Sequence, residues 1–494
     1  MTLLACFLDI VAAWGTVFPQ PRSYLRAVRQ ALGGLVCLGR RTLSRIIWTN
    51  GGQHKDWRAD YFLFSRCQWD PAALFAPILL RALAYCPGRY IGVAIDDTRL
   101  HKTGACIQQA FVQSDPLSPK YHVNFMLGLR FLQASLLVPL FRRAKVGARA
   151  MPIAFEEVSV VKRPRRKRRS PSSSRQNQAA KRKRQRKDGP AQPAPKPEAK
   201  DEALEEEWKQ YRAAQKLHNL STHFVLLMGR LRTAFDMAGA AKKILLLAVD
   251  NSFCNRTVFR TPVQGVELIA RARKNAGLCR RANDGSRRFY ERRKFTPEQV
   301  RLDESMAWQT TKIFYGGKRR KVEYKEVAGV YWQGGARQRP LRLLVVKPTR
   351  YRKKKSGRYY YRQPAYLLTT VVNGTVRQLL QIYFDRWQIE VNHREEKDTL
   401  GVGQAQLRNF ISVPKQPAFA VANYSALLLA SLQAFGAERG KAYAILPKWR
   451  RRAARPSALD LITLLRKEMT EHPELVAHLG LNPTDRGLNA AAAT

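Results

Sequence analysis

Acidic side chains are few in this chain: 37 aspartates and glutamates face 88 lysines and arginines, leaving a formal charge of +51 over 494 residues. Self-repulsion of that size opposes compaction unless a polyanion supplies counter-charge, which argues against an ordinary cytoplasmic enzyme and makes nucleic acid the expected partner. Ordered cysteine patterns are also missing. Cys6, Cys37, Cys67, Cys86, Cys106, Cys254 and Cys279 include no C-x-x-C pair and no Cys/His ligand spacing, so a reducing compartment and no zinc site are expected. The opening run MTLLACFLDIVAAWGTVF lacks a basic leader and carries Asp9. It reads as a buried helix, and with no segment expected to reach bilayer length free of charge, the chain reads as a soluble protein without a membrane partner.

What is present is enough apolar residue, 45%, to exclude disorder throughout and to build two to four structural units. From Tyr24 to about Leu83 apolar residues recur every three to four positions, which predicts an all-α unit over residues 1–85. Within it, GRRTLSRIIW offers Thr42 as an N-cap and puts Arg41 and Arg45 on a helix after a glycine-containing turn, as a DNA-recognition helix needs; a surface helix with solvated arginines reads equally well. YIGVAIDDTRL, HVNFMLGLRFLQASLLVPLF and the stretch around Ile153 predict successive strands, as do KKILLLAVD and GVELIARARKN further on. They assign an α/β core to 86–277 and 372–435. A mostly β insertion rich in Tyr, Val, Lys and Arg is expected over 278–371, and a helical region over 436–494. Between residues 162 and 200 almost nothing can be buried, so this basic stretch reads as a disordered insertion in the core that grips DNA non-specifically.

Three carboxylates stand out. Asp96 and Asp250 each follow a hydrophobic strand, where α/β sheets commonly bind ligands, although an aspartate that merely starts a turn gives the same pattern. Asp97 is the alternative to Asp96, because neighbouring strand residues face opposite ways. The third is Glu390 in YFDRWQIEVNHREEK, where Tyr383, Arg386, Glu390 and Lys397 are spaced Y-x2-R-x3-E-x6-K. At about 100° per residue these four fall within roughly 60° of one helix face. A carboxylate flanked by cations and a phenol suits a metal-assisted phosphate site, whereas a solvated helix with an Arg386–Glu390 pair is the plainer reading. Four specified residues at that spacing recur by chance in well under roughly one chain in a hundred of this length.

The signature resembles that of the prokaryotic cut-and-paste insertion-sequence DDE transposases with the Tyr-Arg-Glu-Lys (YREK) motif, and the order of AIDDT, LLLAVD, β insertion and glutamate helix is similar to theirs. The 162–200 stretch and the doubled aspartate depart from the shared pattern. The resemblance implies a ribonuclease-H-like core interrupted by the β insertion, preceded by an all-α DNA-binding unit. It further implies two Mg²⁺ ions, with Mn²⁺ as a substitute, about 3.5–4 Å apart on Asp96, Asp250 and Glu390, cutting and joining phosphodiester bonds. Tyr383, Arg386 and Lys397 would then contact DNA near the cut. Excision through a hairpin requires a base to leave the stack, and Trp332 is the candidate to fill its place, with packing in a β core as the alternative. The expected partners are terminal inverted repeats, target DNA and a second copy of the chain in a synapse, in the cytoplasm at the nucleoid. A non-catalytic DNA-binding descendant and an RNA-binding protein are the competing classes. His101 and His393 are given no role.

Overall fold

Five stretches of apolar, β-branched sequence form the centre of one sheet. In the computed structural model these are β1 (Tyr90–His101), β3 (Phe125–Pro139), β4 (Ala148–Glu157), β5 (Ile244–Val249) and β6 (Val266–Arg271). The structure describes residues 1–494 apart from 105, 116–117, 120, 141–146, 162, 165–197, 284, 286, 317, 353–355, 437–455 and 482–494. β1 pairs antiparallel with β3, and β3 with β4, while β5 lies parallel to β1 and β6 parallel to β5. β5 is buried from its second residue on, which is why ILLLAV reads as an unbroken apolar run rather than an alternating one. The result is a mixed α/β fold.

The insertion does not build a sheet of its own. Beyond β6 the same sheet continues through β12 (Ala365–Thr369), β9 (Leu341–Val346), β8 (Lys318–Val330) and β7 (Gln309–Tyr315). The short β2 (Phe111–Ser114) pairs with β3, bringing the sheet to ten strands. Among the described residues, β10 (Arg350–Arg352) and β11 (Tyr359–Tyr361) stand apart as a two-stranded ribbon.

Residues 1–85 are helical, with α1 (Leu3–Ala12), α2 (Pro21–Val36), α3 (Leu43–Thr49), α4 (Arg58–Ser65) and α5 (Ala76–Ala82). They share their core with the rest of the chain. Phe419, on the Ser412–Phe435 helix, lies 5.8 Å from the Trp14 ring and 5.5 Å from Phe64, and Asn423 donates to the Ala31 carbonyl at 2.7 Å. The Leu4 amide bonds Glu468 of the Ala458–Glu471 helix at 2.6 Å. One continuous buried cluster therefore joins the first helices to the sheet and to both late helices. Phe419→Ala is expected to destabilise the whole chain by about 3–5 kcal/mol in denaturant unfolding, in a single transition. A loss confined to a separate early transition would show that the N-terminal helices fold by themselves.

Ser412–Phe435 departs from one expectation of the sequence. Among the described residues it is the one helix long and apolar enough to cross a membrane, and 78% of its apolar window is buried inside the fold. The basic stretch 162–200 lies outside the described residues except for Arg163, Pro164 and its last three positions, which begin the Glu198–Leu217 helix. The described part of 436–494 holds the helices Ala458–Glu471 and Glu474–Ala477.

Candidate active site

The pleat of β1 separates the two neighbouring aspartates. Asp97 faces Arg130 of β3, whose Nε lies 2.8 Å from its carboxylate. Asp96 lies on the other face, with Ala94, where Ile389 packs against the sheet. The parallel β1–β5 register pairs Val93 with Leu247 and Ala94 with Ala248, so two residues further on Asp96 stands beside Asp250. Arg386 Nη1 is 3.7 Å from Asp96 Oδ2.

The glutamate segment is not the single straight helix that the spacing predicts. A helix Val376–Asp385 stops, Arg386 and Trp387 form a turn, a second helix covers Gln388–Arg394, and a wide π turn covers Glu395–Thr399. Ile389 and Glu390 bond the carbonyls three residues back, at 3.0 and 3.2 Å, while Leu400 bonds five residues back to Glu395 at 2.9 Å. Bonding therefore changes from tight to wide within one motif, and a constant 100° per residue no longer gives the facing.

Arg386 and Glu390 nevertheless lie within electrostatic reach of Asp96, Tyr383 of Asp250, and Lys397 of Glu390 and Asp97. The Arg386 guanidinium stands 5.8 Å from the Tyr383 ring centroid. Burial raises the Tyr383 pKa, with Arg386 and Arg271 opposing and the Asp250 charge adding. Lys397 is lowered by burial, against the pull of Glu396, Asp398, Glu390 and Asp97. Asp96 is pushed up to about 7, first by burial and then by the charge of Asp250, with Glu390 and Asp97 adding and Arg386 offsetting part.

Below the site lies a buried polar network that the sequence reading missed. Glu396, buried and raised to about 8 chiefly by that burial, accepts from Gln133 Nε2 at 2.9 Å. Gln133 also donates to Ser135 at 3.2 Å, and Ser135 to Asn392 at 3.2 Å. Asn392 donates to the Ala150 carbonyl at 3.1 Å and reaches the Tyr424 hydroxyl, which bonds Glu395. These bonds hold the π turn against β3 and β4. The sequence signal was a glutamine and a serine inside the apolar second half of β3, FLQASLLVP. His393 is buried and held at about 3 by desolvation and by Lys397, so its imidazole is neutral.

The remaining candidates lie elsewhere. Trp332 is half-buried just after β8, its ring 5.6 Å from Phe259 and folded over Gly335. Arg41 is tied inward, with Nε donating to the Gly34 carbonyl at 3.0 Å and its amide to Gln404 at 2.9 Å. Arg45 is exposed, and its amide bonds Thr42 Oγ1 at 3.2 Å, so Thr42 caps α3. An aromatic residue not singled out from the sequence, Trp387, is 61% exposed in the turn between Arg386 and Glu390.

Three carboxylates supply only oxygen donors, the set that hard divalent cations prefer, and Asp96 is raised first by burial and then by the charge of Asp250. As placed, however, the Asp250 oxygens are turned to Ser252, accepting from its amide at 2.8 Å and its hydroxyl at 3.2 Å. Among the described residues no three acidic, histidine or cysteine side chains stand close enough to hold one ion. Compared with known proteins, the chain matches no family model and no curated protein.

Proposed function

We propose that the chain is a DNA transposase whose Asp96, Asp250 and Glu390 cut and rejoin phosphodiester bonds at the ends of a mobile element. The observation that carries this reading is geometric: the parallel β1–β5 register sets Asp96 beside Asp250, and Arg386 Nη1 lies 3.7 Å from Asp96 Oδ2. A ribonuclease-H-like core is supported by the strand order β4-β3-β1-β5-β6, three antiparallel strands beside two parallel ones. Magnesium or manganese, held by the three carboxylates, would supply the Lewis acidity that ionises the attacking hydroxyl and offsets charge on the leaving oxygen.

The chain's own residues do the positioning. Arg386 is half-buried, and its Nε and Nη1, themselves shut off from solvent, have no hydrogen-bond acceptor among the described residues, which suits a guanidinium reserved for a phosphate. Lys397 adds a second cation within electrostatic reach of Glu390. Tyr383 braces Arg386 through its ring, and the exposed Trp387 offers a stacking surface that the packed Trp332 does not. Arg386→Ala and Lys397→Ala are each expected to slow single-turnover cleavage roughly 10- to 100-fold with folding intact, the worth of one hydrogen bond to a charged group. Parent-like rates in both variants would contradict these roles.

A DNA-binding protein without catalysis is favoured by one observation, the turn of Asp250 toward Ser252. The experiment that separates the readings is cleavage of a labelled duplex carrying the DNA that flanks the coding region, with and without Mg²⁺. Metal-dependent nicking is the expected result. Tight binding with no nicking in Mg²⁺ or Mn²⁺ would favour the alternative.

A further inference from the structure

One exposed element is left unused by that reading. β10 and β11 form a ribbon whose cross-strand pairs are Arg350 with Tyr361, Tyr351 with Tyr360 and Arg352 with Tyr359. Directly opposed residues share a face, so Arg350, Arg352, Tyr359 and Tyr361 form one side and Tyr351 with Tyr360 the other. On that second side the Tyr351 and Tyr360 rings lie 5.7 Å apart, tilted by 32°, with the Arg362 and Arg358 guanidinium groups over them at 5.5 and 4.9 Å. This ring pair stiffens a two-stranded ribbon that would otherwise be marginal.

The first side is turned to solvent. Tyr359 is 46% and Tyr361 69% exposed, and both arginines are exposed. Arg350 and Arg352 stand 4.7 and 3.8 Å over the Tyr359 ring, whereas the Tyr361 ring has no guanidinium over it among the described residues. Eight basic residues and no acidic one occur from Lys347 to Arg362, so the occupant must be anionic. Cations alone would serve to grip duplex phosphates. Tyrosines at alternate positions, exposed where large aromatics are usually buried, add flat faces that a paired base cannot use and an unpaired base can.

Register puts the ribbon at the working end of the sheet. β5 and β6 run parallel, with Asp250 just past the carboxyl end of β5. β12 runs antiparallel to β6 and pairs Leu367 with Arg271, so its first residue, Ala365, lies at that same end, opposite Val346 of β9. The ribbon joins Val346 to Ala365. Its stem is therefore two to three strand spacings, roughly 10–15 Å, to the side of Asp250.

We propose that the Arg350, Arg352, Tyr359 and Tyr361 face is a stacking platform for unpaired DNA leaving the cleavage site. The ligand class rests on the DNA reading above, but the test does not depend on the carboxylate chemistry, because it needs neither divalent cation nor cleavage. Fluorescence anisotropy with a labelled thymidine homopolymer and with a blunt duplex, in a chelating buffer, compares the full-length parent with two double variants. Tyr359→Ala with Tyr361→Ala should weaken single-strand binding roughly tenfold and leave duplex binding within about twofold, while the corresponding phenylalanine pair should bind like the parent. If the alanine pair unfolds, Tyr361→Ala alone carries the same comparison. Parent-like single-strand affinity in the alanine variant, or equal losses on single strand and duplex, would overturn the platform. Tighter binding of a uridine homopolymer than of the DNA would overturn its assignment to DNA.

Discussion

Asp250→Asn and Glu390→Gln are each expected to lower metal-dependent cleavage by roughly a thousandfold or more, about 4 kcal/mol of barrier, while binding to element ends stays near the parent value. Each change removes one charge and almost no volume. The amide oxygen introduced by Asp250→Asn could still accept the Ser252 amide bond that shapes the turn after β5, so the local backbone has no reason to move. Asp97→Asn is the contrasting change. It weakens the contact with Arg130 on the opposite face of the sheet and should cost stability but little cleavage, within about severalfold. Cleavage is measured in single turnover on a labelled end duplex, with Asp96→Asn run beside Asp97→Asn. If Asp97→Asn were inactive and Asp96→Asn active, the facing of β1 would be the reverse of the one described. Undiminished cleavage by Asp250→Asn or Glu390→Gln would remove the triad altogether.

The part of this site legible in the sequence is the part fixed by short-range rules. A strand buried on both faces must be continuously apolar, so ILLLAV and YIGVAI announce themselves; Asp250 marks the end of β5, whereas Asp96 and Asp97 lie within β1, which runs on to His101. Which of Asp96 and Asp97 faces the glutamate depends on the partner strands, and that was not legible. Nor was the break at Arg386–Trp387, which has neither proline nor glycine and arises where backbone bonds shorten to three residues before widening to five. Helical-wheel arithmetic assumed one period, which the tight and wide bonding of this segment does not keep. Trp332 and Arg41 show the same limit from the other side. Their residue types suit DNA, but Phe259 and the Gly34 carbonyl, distant or unremarkable in sequence, hold them inward. The shared core of α1–α5 with Ser412–Phe435 was equally hidden, since it joins segments as far apart along the chain as Ala31 and Asn423, which are 392 positions from each other.

Removing the Asp96 charge should stabilise the metal-free protein at the same time as it abolishes cleavage. The carboxyl is raised from 3.8 to about 7, first by burial and then by Asp250, with Glu390 and Asp97 also raising it. Below pH 3.8 the group is protonated in both folded and unfolded chains and contributes nothing to the difference between them. Between there and about 7 the unfolded chain releases its proton while the folded chain retains it, so this group lowers stability as pH rises, and the effect levels off above about 7. At pH values above that window, Asp96→Asn is expected to raise the unfolding free energy in a chelating buffer by about 4 kcal/mol, and to change it little near pH 4. Saturating Mg²⁺ should reverse the ranking, because the parent gains by binding the ion and the variant has lost a ligand. Guanidinium unfolding of both proteins at the two pH values, with and without Mg²⁺, reads all four differences. A variant less stable than the parent in chelator at alkaline pH would mean that Asp96 is a structural partner of Arg386 rather than a carboxylate kept under strain for a cation.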